Sequence, residues 1–433
     1  MSVTIASPHG AAPGPHDVRV MRDGERRLLL ISYHFPPSPE VGALRWQHLA
    51  RFAAERGWAL DVVALDPWQL AAPDWSALSD LPIGVAVHGV REGALPLDRL
   101  VRRVVALRHR RQARRSAAAG AAAPTPQVAR PPSLGVEELR SPLHSSRDAL
   151  RAFHAWRSYV QQRAWAGHAA TVAWQLSRAQ RYRGVITCGP PHMAHEAGRM
   201  LQHRTGVPLV VDMRDLWSLT PRLSEEIASP LALRLARRHE RRVVSAATLI
   251  VTNTEPSRLA MQAAYPAARN RIIAILNGYD DEPVPPSEHG RCFIIGYAGS
   301  IYLDRDPRPL IHAAAGVIHD LRLGPEEFRV EFMGVEPGHA TLVAHAAAER
   351  GIAEFVRTYP PAPRADVKRF LARATMLASL PLISLSSATD TSIPAKLFEY
   401  TRFRAWLLAL ANPGSATALL LRDTGAEIGR AHV

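Results

Sequence analysis

Short apolar runs alternate with segments of helical period along most of this chain. Arg27–Tyr33 (RLLLISY) is almost continuously apolar, as expected of a strand covered on both faces. Val41–Arg56 shifts to a period near 3.6 and predicts a helix, with Gly57 placed to end it in the left-handed conformation. Ala59–Leu65 and Val85–Val90 predict further strands. Asp148–Gln180 predicts one long helix or a broken pair, with Phe153, Trp156, Val160, Trp165 and Trp174 on or near its apolar face. Gly184–Cys188, Leu209–Met213 and Thr248–Thr252 predict strands, the first two joined by a helix, and Arg271–Leu276 leads into a turn at Asn277-Gly278. A second series follows: strands at Phe293–Tyr297, Arg329–Met333, Phe355–Thr358, Met376–Leu382 and Trp406–Leu410, with helices from Pro309 and from about Pro394.

Alternating strands and helices imply parallel sheets with helices on both faces, an α/β fold. The segment Asp280–Gly290, bearing Pro and Glu, separates the two series and predicts the domain boundary. The expected organisation is a disordered tail over 1–25, a first Rossmann-like domain over 26–280 and a second over 281–433. Ser116–Gly135 is rich in Ala and Pro without a packing pattern, so a mobile insertion is expected over about 116–146.

A chain of 433 residues with 47% hydrophobic content has ample material for two cores. No apolar run is long enough to span a bilayer, and the two cysteines, Cys188 and Cys292, suit neither a disulfide framework nor a zinc site. Both points favour a cytoplasmic setting. The net charge of +14 calls for anionic partners. Seven arginines (102, 103, 108, 110, 111, 114 and 115) cluster in the 100–115 segment, with Leu100, Val104 and Leu107 at helical spacing among them. That pattern fits a basic amphipathic helix on an anionic membrane surface, or a solvated helix leading into the linker.

Ligands of open α/β sheets bind at the carboxyl ends of the strands, so the loops there carry the candidate chemistry. The loop His34–Arg45 includes Pro36-Pro37, Gly42 and Arg45. Asp212-Met213-Arg214-Asp215-Leu216-Trp217 ends an apolar strand in charges that must be paired or used. Gly296-Tyr297-Ala298-Gly299 is followed by Arg305. Asp304-Arg305-Asp306 has an Asp-x-Asp spacing, but its arginine would repel a cation. His192 and His195 could share a metal, although surface or capping roles suit them better.

Ser392-Ile393-Pro394-Ala395-Lys396-Leu397-Phe398-Glu399-Tyr400 resembles the donor-binding segment of family 4 glycosyltransferases, the retaining enzymes of the two-Rossmann GT-B fold. The other loops occur in the family's order. The resemblance implies Lys396 on the diphosphate at a helix N-terminus, Glu399 on the ribose, and Gly42, Gly299 and Arg305 near sugar or phosphate. It implies Arg45 near acceptor or phosphate and Arg214, Asp212 and Asp215 at the reacting centre. The sequence also departs from the family. Arg214 stands where histidine is common, Ser300 where a basic residue often follows the glycine, and Thr391 where the first of two glutamates belongs, with Asp390 one residue away.

The implied activity is sugar transfer from a nucleotide-sugar to a polyprenyl-linked or saccharide acceptor, with retention, in bacterial surface-polysaccharide assembly. No cofactor, metal or nucleic acid is expected, and the protein would sit on the inner face of the cell membrane. Alternatives on the same fold are a nucleotide-sugar 2-epimerase and a non-catalytic module for anionic ligands. The last six residues, Ile428-Gly429-Arg430-Ala431-His432-Val433, match what a common sequencing adapter encodes in one frame. The second domain is therefore expected to be incomplete, leaving apolar surface near Leu407–Leu421 uncovered and an inactive or poorly soluble fragment.

Overall fold

The computed structural model describes residues 3–4, 26–93, 146–219, 229–279, 282–301, 305–380 and 391–425. The expected tail apart from Val3–Thr4, the insertion up to its last residue, the 100–115 segment, Asp280, Asp304, Asp390 and the last six residues lie outside these; Val3–Thr4, within the expected tail, form a strand.

Two sheets account for every described strand. The first contains β1 (Val3–Thr4), β2 (Arg26–Ser32), β3 (Trp58–Leu65), β4 (Val85–Val90), β5 (Val185–Gly189), β6 (Leu209–Met213), β7 (Leu249–Thr252) and β8 (Ile272–Ala274), in the order β1-β4-β3-β2-β5-β6-β7-β8. All pairings are parallel except that of β1 on the β4 edge. The second sheet contains β9 (Phe293–Ala298), β10 (Phe328–Met333), β11 (Val356–Tyr359), β12 (Met376–Ser379) and β13 (Trp406–Ala409), all parallel, in the order β11-β10-β9-β12-β13. This is the α/β architecture of two Rossmann-like units. In each sheet the strand order reverses beside the first long strand, between β2 and β5 and between β9 and β12, and such a reversal opens a crevice at the carboxyl ends.

The strands read as apolar runs because both faces are covered. In β2, Leu29 and Ile31 join one cluster with Trp165, Ala169 and Val211, while Leu30 joins another with Trp46, Ala50 and Val62. The second sheet divides likewise: Ile295 and Tyr297 pack with Leu310 and Ile311, whereas Ala298 packs with Phe370 and Tyr400.

The helix Ser146–Ala179 is a single element of 34 residues. Its buried stripe is Trp165, Ala166, Ala169, Ala170 and Ala173, small side chains that bring the helix close to the sheet, and the Trp165 indole N–H donates to Val90 O at 3.2 Å. Trp156 does not belong to the apolar face; it is 42% exposed. Gly57 follows the helix Val41–Glu55 at φ +72°, a left-handed geometry that suits glycine.

One buried ion pair ties the amino-terminal part of the first sheet. Arg27 on β2 places Nη1 3.0 Å from both carboxylate oxygens of Asp61 on β3, and the Tyr182 hydroxyl donates to Asp61 at 2.6 Å. Burial opposes ionisation of this carboxyl, but His88, Tyr182 and Arg27 together hold it below the usual range. At the far end of the chain, Leu407, Leu408, Leu410 and Leu419 are partly buried, and Trp406 is 55% exposed.

Candidate functional site

Loops at the carboxyl edges of both sheets carry the residues singled out by sequence. On the first sheet, Arg214 leaves the end of β6 and turns back across the loop after β5. Its Nε donates to Gly189 O at 3.1 Å and its Nη2 to Pro190 O at 2.8 Å. No carboxylate among the described residues pairs with it. Gly42, one residue into the helix Val41–Glu55, makes room for this guanidinium: a Cβ there would lie 2.5 Å from Arg214 Nη1. The space over Gly42 is taken by the end of the Arg214 side chain.

His34 shares this corner. Its Nδ1 lies 3.3 Å from Ser38 Oγ, and burial followed by the field of Arg214 lowers its pKa to about 4, so the imidazole is neutral at pH 7.

Asp212 and Arg45 face each other. Arg45 Nε donates to Asp212 Oδ2 at 3.0 Å and Nη2 to Oδ1 at 3.3 Å; the Trp46 indole N–H adds a third bond at 2.8 Å. The remaining Arg45 donors go to Ile275 O and Leu276 O at 3.2 Å and to Asn277 Oδ1 at 2.8 Å. All five N–H groups of the guanidinium are thus used within the protein. Arg45 spends its donors within the protein, and the buried Asp212 carboxylate accepts three hydrogen bonds, two from Arg45 and one from Trp46. Together they brace the crossover at Asn277. Asp215 is partly buried in the loop after β6.

The second sheet presents a cation differently. Lys396 lies at the start of the short helix Ala395–Tyr400, with Nζ 3.7 Å from the centroid of the Tyr297 ring on β9. Gly299, just past β9, has φ +124° and passes directly under the ammonium: a Cβ there would lie 2.8 Å from Nζ. No carboxylate among the described residues reaches Lys396. Burial first, and the neighbouring Arg305 second, push its pKa well below the ordinary ammonium range. Glu399 does not neutralise it; Glu399 Oε1 accepts from Arg402 Nη1 at 3.2 Å. The helix has only six residues, so its dipole adds less here than the sequence implied.

A contact unpredicted by sequence joins the two edges. Thr254, at the carboxyl end of β7, and Ser257 both donate their hydroxyls to the Thr391 carbonyl, at 2.5 and 3.1 Å. The loop preceding Lys396 is thereby seated on the same edge of the first sheet that carries Arg214. Thr391, at the position where the resemblance implied a glutamate, is 5% exposed, and its Oγ1 has no partner among the described residues. The Thr254-x-x-Ser257 spacing of a helix cap was the available signal.

His192 and His195, at the start of the helix Met193–Thr205, pack within the protein. His195 is fully buried with Nδ1 2.9 Å from Thr187 Oγ1, and His192 stacks on Trp217 at 5.3 Å between ring centroids. Among the described residues no helix is long and apolar enough to cross a membrane.

No family model matches the chain. A stretch of 202 residues, 43% of this chain, is 27% identical to D-inositol 3-phosphate glycosyltransferase 1 of Catenulispora acidiphila, and the chain spans about half (47%) of that curated relative's length. In three dimensions the chain is similar to sucrose-phosphate synthase from Thermosynechococcus elongatus, with a TM-score of 0.57 and 11% identity over 90% of this chain and 82% of that one. It is also similar to the catalytic domain of starch synthase IV from Arabidopsis thaliana, bound to ADP and acarbose, with a TM-score of 0.53 and 9% identity over 95% and 86%. The fold is GT-B, that of many glycosyltransferases.

Proposed function

We propose that this chain is a glycosyltransferase that moves a sugar from a nucleotide-sugar donor to an acceptor with retention of configuration, using Lys396 as its diphosphate ligand. The observation that carries the reading is the Lys396 ammonium: held over the flat backbone of Gly299, beside a second cation at Arg305, and without a carboxylate among the described residues. Two adjacent cations repel each other, and an anion between them relieves that repulsion. A diphosphate supplies that charge, and its oxygens accept charge-assisted hydrogen bonds from both.

The remaining roles follow the same chemistry. Glu399 Oε1 is held by Arg402, which leaves Oε2 to accept from a ribose hydroxyl. As the glycosidic bond to the nucleotide breaks, Lys396 and Arg305 stabilise the negative charge growing on the leaving diphosphate. A diphosphate oxygen then takes the proton of the acceptor hydroxyl that attacks from the same face. Arg214 Nη1, free of hydrogen bonds among the described residues, is assigned to the donor sugar or acceptor. Asp215 is assigned to the same centre as a second polar group. The resemblance to family 4 favours a lipid-linked acceptor and a role in surface-polysaccharide assembly. With Thr391 turned into the domain contact, recognition of the sugar hydroxyls would not use a carboxylate at that position.

A thermal-shift screen against UDP-, GDP-, ADP- and dTDP-sugars identifies the donor. Calorimetry with the matching nucleoside diphosphate then tests the site. Lys396→Ala should weaken binding by about 1.5–3 kcal/mol, the range for a lost charge-assisted hydrogen bond. Unchanged affinity would sink the assignment.

A further inference from the structure

We propose that the exposed arginine face of the helix Pro230–Ala246 is a docking surface for an anionic lipid bilayer. The helix is strongly two-sided. His239, Glu240, Val243 and Val244 are buried, whereas Arg234, Arg237, Arg238, Arg241 and Arg242 are all exposed. They fall on two adjacent stripes, one through 234, 237 and 241 and one through 238 and 242, at the three- and four-residue steps of a helix face.

None of the five arginines has an ion-pair partner among the described residues. The helix's single acid, Glu240, points inward and accepts from Ser218 N at 2.6 Å and from the Tyr265 hydroxyl at 2.8 Å. Like charges three and four residues apart weaken a helix. An arrangement that repeats such pairs without internal compensation matches an anion outside the chain.

Apolar side chains on the same face select a bilayer over a nucleic acid. Leu231 is 56% exposed and Leu235 partly so, and the step from 231 to 235 to 238 to 242 places both leucines on an arginine stripe. Phosphate groups alone would not call for leucine, whereas an interfacial helix buries its apolar residues below the headgroups that its arginines contact. The position in the fold agrees. The helix lies between the parallel strands β6 and β7, so its first turn, with Leu231, lies toward the carboxyl edge that carries Arg214. A bilayer on this face would lie alongside the mouth of the interdomain crevice.

The test uses the full chain without nucleotide, so it is independent of the donor-site reading. Flotation with phosphatidylcholine vesicles, with and without phosphatidylglycerol, should show binding only to the anionic vesicles and its loss at high salt. The double variant R237E/R241E should bind at least about tenfold more weakly, given roughly 1 kcal/mol per basic residue at such a surface. R237Q/R241Q, which avoids new charge repulsion, should lie between it and the wild type, and Leu231→Ser should weaken binding without altering its salt dependence. Circular dichroism on each variant verifies folding. Equal binding to both vesicle types, or wild-type binding by both folded double variants, would overturn the proposal. So would a duplex RNA that binds more tightly than anionic vesicles at the same salt and loses affinity in R237E/R241E.

Discussion

Both domains set a cation against a glycine, and they leave it in opposite states. Arg214, against Gly42, donates to two backbone carbonyls, and its neighbour Arg45 is fully bonded to Asp212 and the crossover. Lys396, against Gly299, has the face of an aromatic ring and a second cation for company. Arg45 has its charge settled by a carboxylate, whereas no carboxylate among the described residues settles that of Lys396. Sequence alone presents both as charged loops.

The largest test removes a settled charge. Asp212→Ala leaves Arg45 buried without its carboxylate and should cost about 3–5 kcal/mol of stability in denaturant unfolding. A loss below 1 kcal/mol, on the order of a surface pair, would mean that the two domains do not differ in this way.

Next comes the unsettled charge, where the sign reverses. Lys396→Met should leave the unliganded protein at least as stable as the wild type. Its pH dependence gives a second check. A lysine whose folded pKa lies below its unfolded value binds fewer protons when folded, so the free wild-type protein should gain stability as pH rises from the folded pKa toward the ordinary lysine value. This part of the slope should vanish in Lys396→Met and shrink in the wild type with bound nucleoside diphosphate.

The glycines differ more modestly. Gly299→Ala meets both a left-handed backbone and the ammonium, and should cost about 1–3 kcal/mol of stability along with donor affinity. Gly42→Ala lies in a helix and meets only the movable end of Arg214, so stability should change by less than about 1 kcal/mol. Equal losses would erase the distinction. The smallest effect is a titration: by NMR, His34 should titrate near pH 4, and Arg214→Ala should raise that value only part of the way to normal, because burial is the larger cause.

Much of the fold was legible because parallel strands covered on both faces must be apolar throughout, and runs such as Leu28–Ile31 and Leu209–Val211 have few other uses. The boundaries of the long helix were legible, but its inner face was not. Trp156 looked like core by residue type, while alanines every three to four residues made the true contact. Among the candidate site residues, the sequence found the cations and their glycines but could not show which carboxylate each cation faces. Arg45 and Asp212 are 167 positions apart, and only the folded sheet brings them together. The seat of Thr391 on Thr254 and Ser257 was hidden for the same reason, since it joins two domains through a backbone carbonyl that carries no sequence signature.

The bracing of Asn277 by Arg45 has a mechanical consequence. The second sheet follows the chain through this crossover, so a rotation of one sheet against the other pulls on the Arg45 guanidinium and, through it, on Asp212 at the end of β6. Arg214 is only two residues further on. A rotation that closed the crevice would therefore also re-aim Arg214, and a change at Asn277 should be felt at a side chain it never touches.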